Sequence, residues 1–362
     1  MKILGIDTSC DDTCISLLKI QNFEIISNVV SSQVKLHAKY GGVYPSLAKR
    51  EHQKNLPIVF KKATKGIDTS KTELPFMEAK VKMKTKSSSP IDLIGVTIGP
   101  GLEPCLWTGV NFAKELAEKL KKPLILVNHI EAHIMANWLK PIRQIQNLFP
   151  AICLVVSGGH TQLILMRDIG KYELVGETRD DAAGECFDKA ARILGLGYPG
   201  GPIISKLAKK INNGSRTSII LPRPMMYQKN YDFSFSGLKT AVLYDFRSRS
   251  SKIRKSKEYI RSMCAEIQQA IIDVLIHKTL KAAKNYYKVK SIILGGGVVA
   301  NTELRKQFKE KIEKELKNVK FFIPETEFCT DNAAMVAITA FFNQKKKTKN
   351  WKKIKANANL RI

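Results

Sequence analysis

The chain has 362 residues, enough for two domains with separate cores, and its 44% hydrophobic and 25% charged residues exclude a disordered or fibrous chain. The formal charge of +28 suits a polyanionic partner such as RNA, although a Lys-, Ile- and Asn-rich composition also arises without selection for binding. No apolar run reaches membrane-spanning length and the sequence enters a strand at Lys2, so no membrane contact and no leader peptide are expected, and the location implied is cytoplasmic. Cysteines stand at 10, 14, 105, 153, 186, 264 and 329 with no Cys-x-x-Cys pair, a pattern of reduced, buried thiols.

From Ile3 to Leu18 the sequence reads as a strand, a polar turn around Thr8 and Ser9, and a second strand. Apolar strands are then expected at Ile91 to Ile98 and Leu124 to Val127, with a helix from Val110 to Leu120 between them. The Lys- and Ser-rich stretch from Thr69 to Pro90 has no period and reads as a surface loop or insertion. From Ala151 to Met166 the strand, turn and strand recur, now with Ser157-Gly158-Gly159 at the tip. A helix around Ala182 to Leu194 precedes a long irregular stretch, and a second around Tyr259 to Ala283 leads into a strand at Ser291 to Leu294. Gly295-Gly296-Gly297 closes that strand, a helix follows from Asn301 to Leu316, and a strand at Phe321 precedes a last helix from Asn332. Three basic clusters stand out: Lys61 to Lys86, Arg247 to Arg261, and Lys345 to Arg361. The last has no acid and reads as a solvated or RNA-facing end.

Strands alternating with helices define an α/β protein, and the repeated hairpin half a chain apart suggests duplication. This is the layout of the actin-like ATPase superfamily: two ribonuclease-H-like domains facing across a nucleotide cleft. The expected division is 1–150 and 151–331, with the helix near 332–362 returning to the first domain. A Ser-Gly-Gly tip is either an ordinary hairpin turn or a bare backbone that cradles phosphate.

His129 and His133 are four residues apart, so on a helix both imidazoles share one face and can chelate a metal ion. Glu131 lies about 200° around the helix from His129, out of place for the His-Glu-x-x-His pattern of a zinc peptidase. Asp331 supplies a third ligand, and two imidazoles with one carboxylate suit iron or zinc and leave positions open. Asp331 is alternatively the N-cap of the helix after it. Asp180, Asp181 and Glu185 suit the start of a helix. Asp188 lies deeper and, with the Tyr198-Pro-Gly-Gly-Pro202 turn, suits ribose hydroxyls. The triple glycine and Asn301 are placed to approach a nucleoside, or form a plain strand-to-helix connection. Asp11 and Asp12 are candidates for a proton acceptor, or simply turn formers.

Seven segments in order, GIDTSCDDT at Gly5, NHIEAH at Asn128, LVVSGGHTQLI at Leu154, DDAAGECFDKAARILGLGYPGGP at Asp180, DFSFSGLKTAV at Asp232, GGGVVAN at Gly295 and CTDNAAM at Cys329, resemble the TsaD family of bacterial type. The resemblance covers nearly the whole chain. It implies transfer of a threonylcarbamoyl group from threonylcarbamoyl-AMP to N6 of the adenosine 3′ of the anticodon in ANN-decoding tRNA, releasing AMP. It further implies one divalent metal ion, iron or zinc, on His129, His133 and Asp331. Val155, Val156, Ser157, Gly158, Gly159, Asp188, Gly201 and Asn301 are implied to contact the nucleotide or its acyl group, in a cleft that ATP or AMP can also occupy. A TsaB-like partner and a TsaE-like P-loop ATPase are implied beside tRNA. This sequence departs from the family in having Asp12 where relatives commonly carry Glu, and Ser205 where some carry an acid. Two other classes compete: a small-molecule kinase of the same superfamily, disfavoured because Mg²⁺ prefers oxygen ligands to imidazole, and a non-catalytic nucleotide- and RNA-binding subunit, disfavoured by the complete metal triad.

Overall fold

The computed structural model describes residues 1–66, 91–139, 147–211 and 219–362. The expected loop from Thr69 to Pro90 and most of the Lys61 to Lys86 cluster fall outside these residues. The chain divides into two compact units. One comprises Met1–His37, Val43–Arg143 and Asp331–Ile362, and the other Ala38–Gly42 and Gln144–Thr330.

The first unit carries β1 (Lys2–Asp7), β2 (Asp12–Lys19), β3 (Glu24–Ser32), β4 (Leu93–Gly99) and β5 (Leu124–Asn128) in the order β3-β2-β1-β4-β5. The second carries β6 (Ala151–Val156), β7 (Thr161–Asp168), β8 (Lys171–Glu177), β9 (Ser291–Gly295) and β10 (Lys320–Phe322) in the order β10-β9-β6-β7-β8. Each sheet is a three-stranded antiparallel meander extended by two parallel strands. The crossover between the parallel strands contains the helix Glu103–Leu120 in one unit and Thr302–Glu315 in the other. The repeated hairpin in the sequence is thus a repeated sheet.

Alternation along β1 explains how the first unit is layered. Leu4 and Ile6 pack with Leu56, Val59 and Phe60 of the helix Pro45–Ala63 and with Val110 and Leu116 of the helix Glu103–Leu120. Gly5, between them, faces the other way. A Cβ there would collide with the backbone of Ala333, and one on Gly95 would come within 2.7 Å of the Ala340 methyl. Two glycines on adjacent strands therefore let the buried helix Ala333–Phe342 lie directly on the sheet, which brings Asp331 to the carboxyl end of β1.

Two expectations need correction. The stretch after Leu194 is not irregular: among its described residues are helices Gly200–Ala208, Ser236–Ser248 and Ser251–Arg254. The first is hidden in sequence by its weak helix formers Gly200 and Gly201, and it gains a side-chain anchor because Asp188 Oδ1 accepts from Gly200 N at 2.7 Å. The basic end of the chain is not simply solvated. Thr348 and Leu124 exchange two backbone hydrogen bonds of 2.9 Å, and Ile354 is buried in the first unit's core with Trp351 packed against it. Periodic apolar residues, the usual sign of packing, are lacking there because the segment is held mainly through its backbone.

Candidate functional site

In the first unit the site grows from the end of β5. Asn128 caps the helix His129–Met135, its Oδ1 accepting from Ile130 N at 2.8 Å and Glu131 N at 3.2 Å. One turn apart on that helix, the two imidazoles sit with ring centroids 4.6 Å apart. Asp331 Oδ1 lies 3.5 Å from His129 Nε2 and 3.3 Å from His133 Nε2. One donor atom from each of the three residues falls within 4.8 Å of the others. Ligands bound at about 2.0–2.2 Å in a tetrahedral or octahedral shell stand about 3.0–3.5 Å from one another, so this set fits a single ion. The chemistry fits as well, since His133 is fully buried and, apart from the Asp331 carboxylate facing Nε2, neither of its ring nitrogens has a partner among the described residues. Asn332, and not Asp331, is the N-cap of the helix Ala333–Phe342, accepting from Met335 N at 3.0 Å.

Sequence reasoning passed over Asp7. Its carboxylate is fully buried at the end of β1, with Oδ1 accepting from Ser9 N at 2.8 Å and Oδ2 lying 3.2 Å from His129 Nδ1. A carboxylate behind a ligating histidine fixes the ring and raises its basicity. Burial opposes a charge on His129, but Asp331 and Asp7 outweigh it and hold the imidazole at about 9. Burial dominates at His133, which is lowered. The signal that could have found Asp7 is an acid closing an otherwise apolar buried strand, which demands a partner. Glu131 points elsewhere. Its Oε1 accepts from Asn343 Nδ2 at 2.9 Å, so Glu131 is not placed to act as the base of a zinc peptidase.

Asp11 and Asp12 lie on the same turn. Burial and the charge of Asp331 raise Asp11, and burial with the charges of Asp331, Asp11 and Asp7 raises Asp12 to about 7. The turn is held by backbone and histidine. Asp11 O accepts from Gln33 N at 3.1 Å, and the His52 ring bridges Thr13 Oγ1 at 2.8 Å and Cys10 O at 2.9 Å. Thr8 and Ser9, the polar tip of the first hairpin, are buried. The Thr8 hydroxyl donates to Cys105 O at 2.8 Å, and Ser9 O accepts from Leu102 N at 2.8 Å. Those groups are used to pack the turn on the helix Glu103–Leu120.

In the second unit the matching turn is built differently. Val155 and Val156 end the buried β6, Ser157 N donates to His160 O at 2.8 Å, and His160 N donates to Ser157 Oγ at 3.1 Å. Those bonds leave out Gly158 and Gly159, which are exposed. A Cβ on either would meet nothing within 4 Å among the described residues, and neither has a positive φ. The fold therefore does not demand glycine at 158 or 159. The helix Ala183–Ile193 begins against this turn, Gly184 N donating to Ser157 O at 3.2 Å. Exposed backbone donors beside a helix start suit an anion. Asp180 and Asp181 do not serve that helix alone. Asp180 accepts from the amides and hydroxyls that open the helix Ser236–Ser248, and Asp181 pairs with Lys189 and Lys239.

Asp188 anchors Gly200, while a Cβ added at Gly201 beside it would come only into ordinary contact with Phe187, at 3.8 Å. Asn301 caps the helix Thr302–Glu315 through Oδ1 and donates Nδ2 to Gln268 Oε1 at 2.8 Å. Its side chain is thus largely used within the unit. Gly296, at φ +95°, packs on the Val156 carbonyl, so the triple glycine joins β9 closely to the end of β6.

Two sheets of the same order, one ending in a His-His-Asp cluster and the other in a bare Ser-Gly-Gly turn, give this chain the fold of the actin-like ATPases. Solved structures agree at the level of fold: HypF from T. kodakarensis matches 95% of this chain and 47% of its own at TM-score 0.54 and 14% identity. The activator of 2-hydroxyisocaproyl-CoA dehydratase from Clostridium difficile, solved with ADPNP, matches all of both chains at TM-score 0.50 and 13% identity. Residues 24–338 match the TsaD family, described as tRNA N6-adenosine threonylcarbamoyltransferase. The enzyme of that name from Thermosipho africanus is 47% identical over 367 residues, covering 100% of both chains. That from Syntrophomonas wolfei is 46% identical over 341 residues, covering 94% of this chain and 92% of its own. This chain belongs to the tRNA N6-adenosine threonylcarbamoyltransferase family.

Proposed function

We propose that this enzyme transfers the threonylcarbamoyl group from threonylcarbamoyl-AMP to N6 of the adenosine 3′ of the anticodon in ANN-decoding tRNA, with one ion of iron or zinc held by His129, His133 and Asp331. The observation that carries the site assignment is the triad of two buried histidines and the half-buried Asp331, backed by Asp7 on His129. When bound, the ion supplies a positive charge against the negative charge that develops on the acyl group. In the reaction the adenine N6 attacks the carbamoyl carbon. An N–C bond forms, the bond from that carbon to the phosphate oxygen breaks, AMP leaves, and N6 loses a proton.

Asp12, whose carboxyl is raised chiefly by burial, is the proposed acceptor of that proton, with Asp11 beside it on the same turn. The turn Val155 to Gly159 receives the nucleotide phosphate through its backbone, and Gly201 gives a close approach. Asp188 and Asn301 act chiefly by holding Gly200 and the helix start in place. AMP or ATP is expected to occupy the same seat. A TsaB-like subunit and a TsaE-like ATPase are the proposed partners, on family membership alone. No described helix is long and apolar enough to cross a membrane.

Purified protein incubated with threonylcarbamoyl-AMP and unmodified ANN-decoding tRNA, with and without those partners, is to yield the modified nucleoside by mass spectrometry after digestion. Product that persists undiminished in His129→Ala would remove the triad from the mechanism.

A further inference from the structure

The basic end of the chain has a second half whose contacts lead to the metal site. Asn357 N donates to Ile98 O at 2.7 Å, at the end of β4, and Ala358 O accepts from Gly101 N at 3.2 Å. A Cβ on Gly99 would collide with the Asn357 carbonyl and stand 3.1 Å from the Leu360 Cβ, so the segment lies flat on bare backbone there. It closes on itself as Leu360 N donates to Asn357 O at 3.2 Å and Asn359 N to Asn357 Oδ1 at 3.1 Å. Finally Arg361 O accepts from Asn128 Nδ2 at 3.2 Å.

Both anchor points border the triad. Asn128 is the cap of the helix that begins with His129, and its side chain divides its work: Oδ1 holds the helix start and Nδ2 holds Arg361. The Gly99–Leu102 loop reaches Asp7 through Ser9. Leu102 N donates to Ser9 O, a Cβ on Gly101 would press on that same carbonyl, and Ser9 N in turn donates to Asp7.

We propose that Asn357–Ile362 is a positioning strap for the metal site, tying the Asn128 cap and the Gly99–Leu102 loop together so that His129 and Asp7 keep their 3.2 Å approach. Asn128 is then a positioning residue that acts through His129. The proposal rests on the metal reading above. A histidine ring and the carboxylate behind it are set by different strands, and a small rotation of the helix start would separate them; the strap ties both to one segment. Loss of such outer support costs about 10–100-fold in metal affinity.

The test uses Zn²⁺ in competition with a chromophoric chelator, on the full chain, on the deletion of 357–362 and on Asn128→Asp. Aspartate caps a helix as well as asparagine but cannot donate to Arg361 O, and its charge beside the site would by itself tighten a cation. Both variants are expected to weaken Zn²⁺ about tenfold, with the melting temperature of Asn128→Asp unchanged. Equal or tighter binding by Asn128→Asp would overturn the proposal, as would a deletion that lowers the melting temperature while leaving Zn²⁺ affinity intact. Wild-type protein that does not bind Zn²⁺ more tightly than His133→Ala would defeat the metal reading, and the strap with it.

Discussion

The β1–β2 and β6–β7 connections hold the same place in two sheets of the same strand order, yet their chemistry is opposite. The first is acidic and tightly packed: Asp7 is fully buried, Thr8 and Ser9 are bonded into the helix behind, and Asp11 and Asp12 are pushed up by burial and by nearby negative charge. The second is neutral and bare, with two exposed glycines the backbone does not need. On the function proposed above, the first turn would hold a cation and a proton and the second would receive an anion. The two sheets share one strand order, and it is the few residues at the strand ends that differ.

The largest effect that separates the two turns is expected from the triad. His133→Ala or Asp331→Ala should abolish measurable metal uptake and lower transfer by about a thousandfold or more, since a preorganised charge at the acyl group is worth at least as much as an oxyanion donor. AMP binding, assigned to the second unit's turn, should persist in both. Metal analysis and AMP titration on the same preparations check this, and parallel loss of both ligands would show that the two turns are not independent.

Asp12→Asn comes next, with transfer expected to fall by about 10²–10⁴ through loss of the proton acceptor. Its stability signature has the opposite sign. Asp12 is raised from 3.8 to about 7, so between those values the folded chain keeps a proton that the unfolded chain has lost. Stability therefore falls as pH rises through that window. In chelator-treated protein, the asparagine variant should gain on wild type from pH 4 to pH 7 and hold a constant advantage above. A gap that fails to open would place the carboxyl in water and remove the reason for its role.

How far the division was legible in the sequence depends on what each residue's signal looks like. The hairpins could be read because β1, β2 and β6 are apolar runs broken by small polar tips. The edge strands β3 and β8 could not, since they are half exposed and their pattern is mixed. His129, His133 and Asp331 declared themselves by spacing and residue type. Asp7 and Asn128 did not, because each is the last residue of a strand and its meaning lies in a partner more than a hundred positions away, Asp7 with His129 and Asn128 with Arg361. Asp7→Asn is the sharper test of that gap: a near-isosteric change expected to weaken metal binding about 10–100-fold while leaving the triad itself intact. Unchanged affinity would demote Asp7 to a partner of Ser9 alone.

The smallest effect belongs to the bare turn. Gly5 is held to glycine by the Ala333 backbone and Gly296 by its positive φ, but Gly158 faces open space in a conformation any residue can adopt. Alanine there loses less conformational entropy on folding than glycine, so Gly158→Ala should leave stability unchanged or raise it by about 0.4–1 kcal/mol. A methyl group between the backbone and a phosphate should nevertheless weaken AMP by about tenfold, or about 1.4 kcal/mol. Thermal melts and AMP titrations give the two numbers separately. If alanine is neutral for both, the glycine serves no ligand and the second turn is only a hairpin. If it costs stability, the turn is constrained by the fold in the manner of the first, and the contrast between the two units disappears.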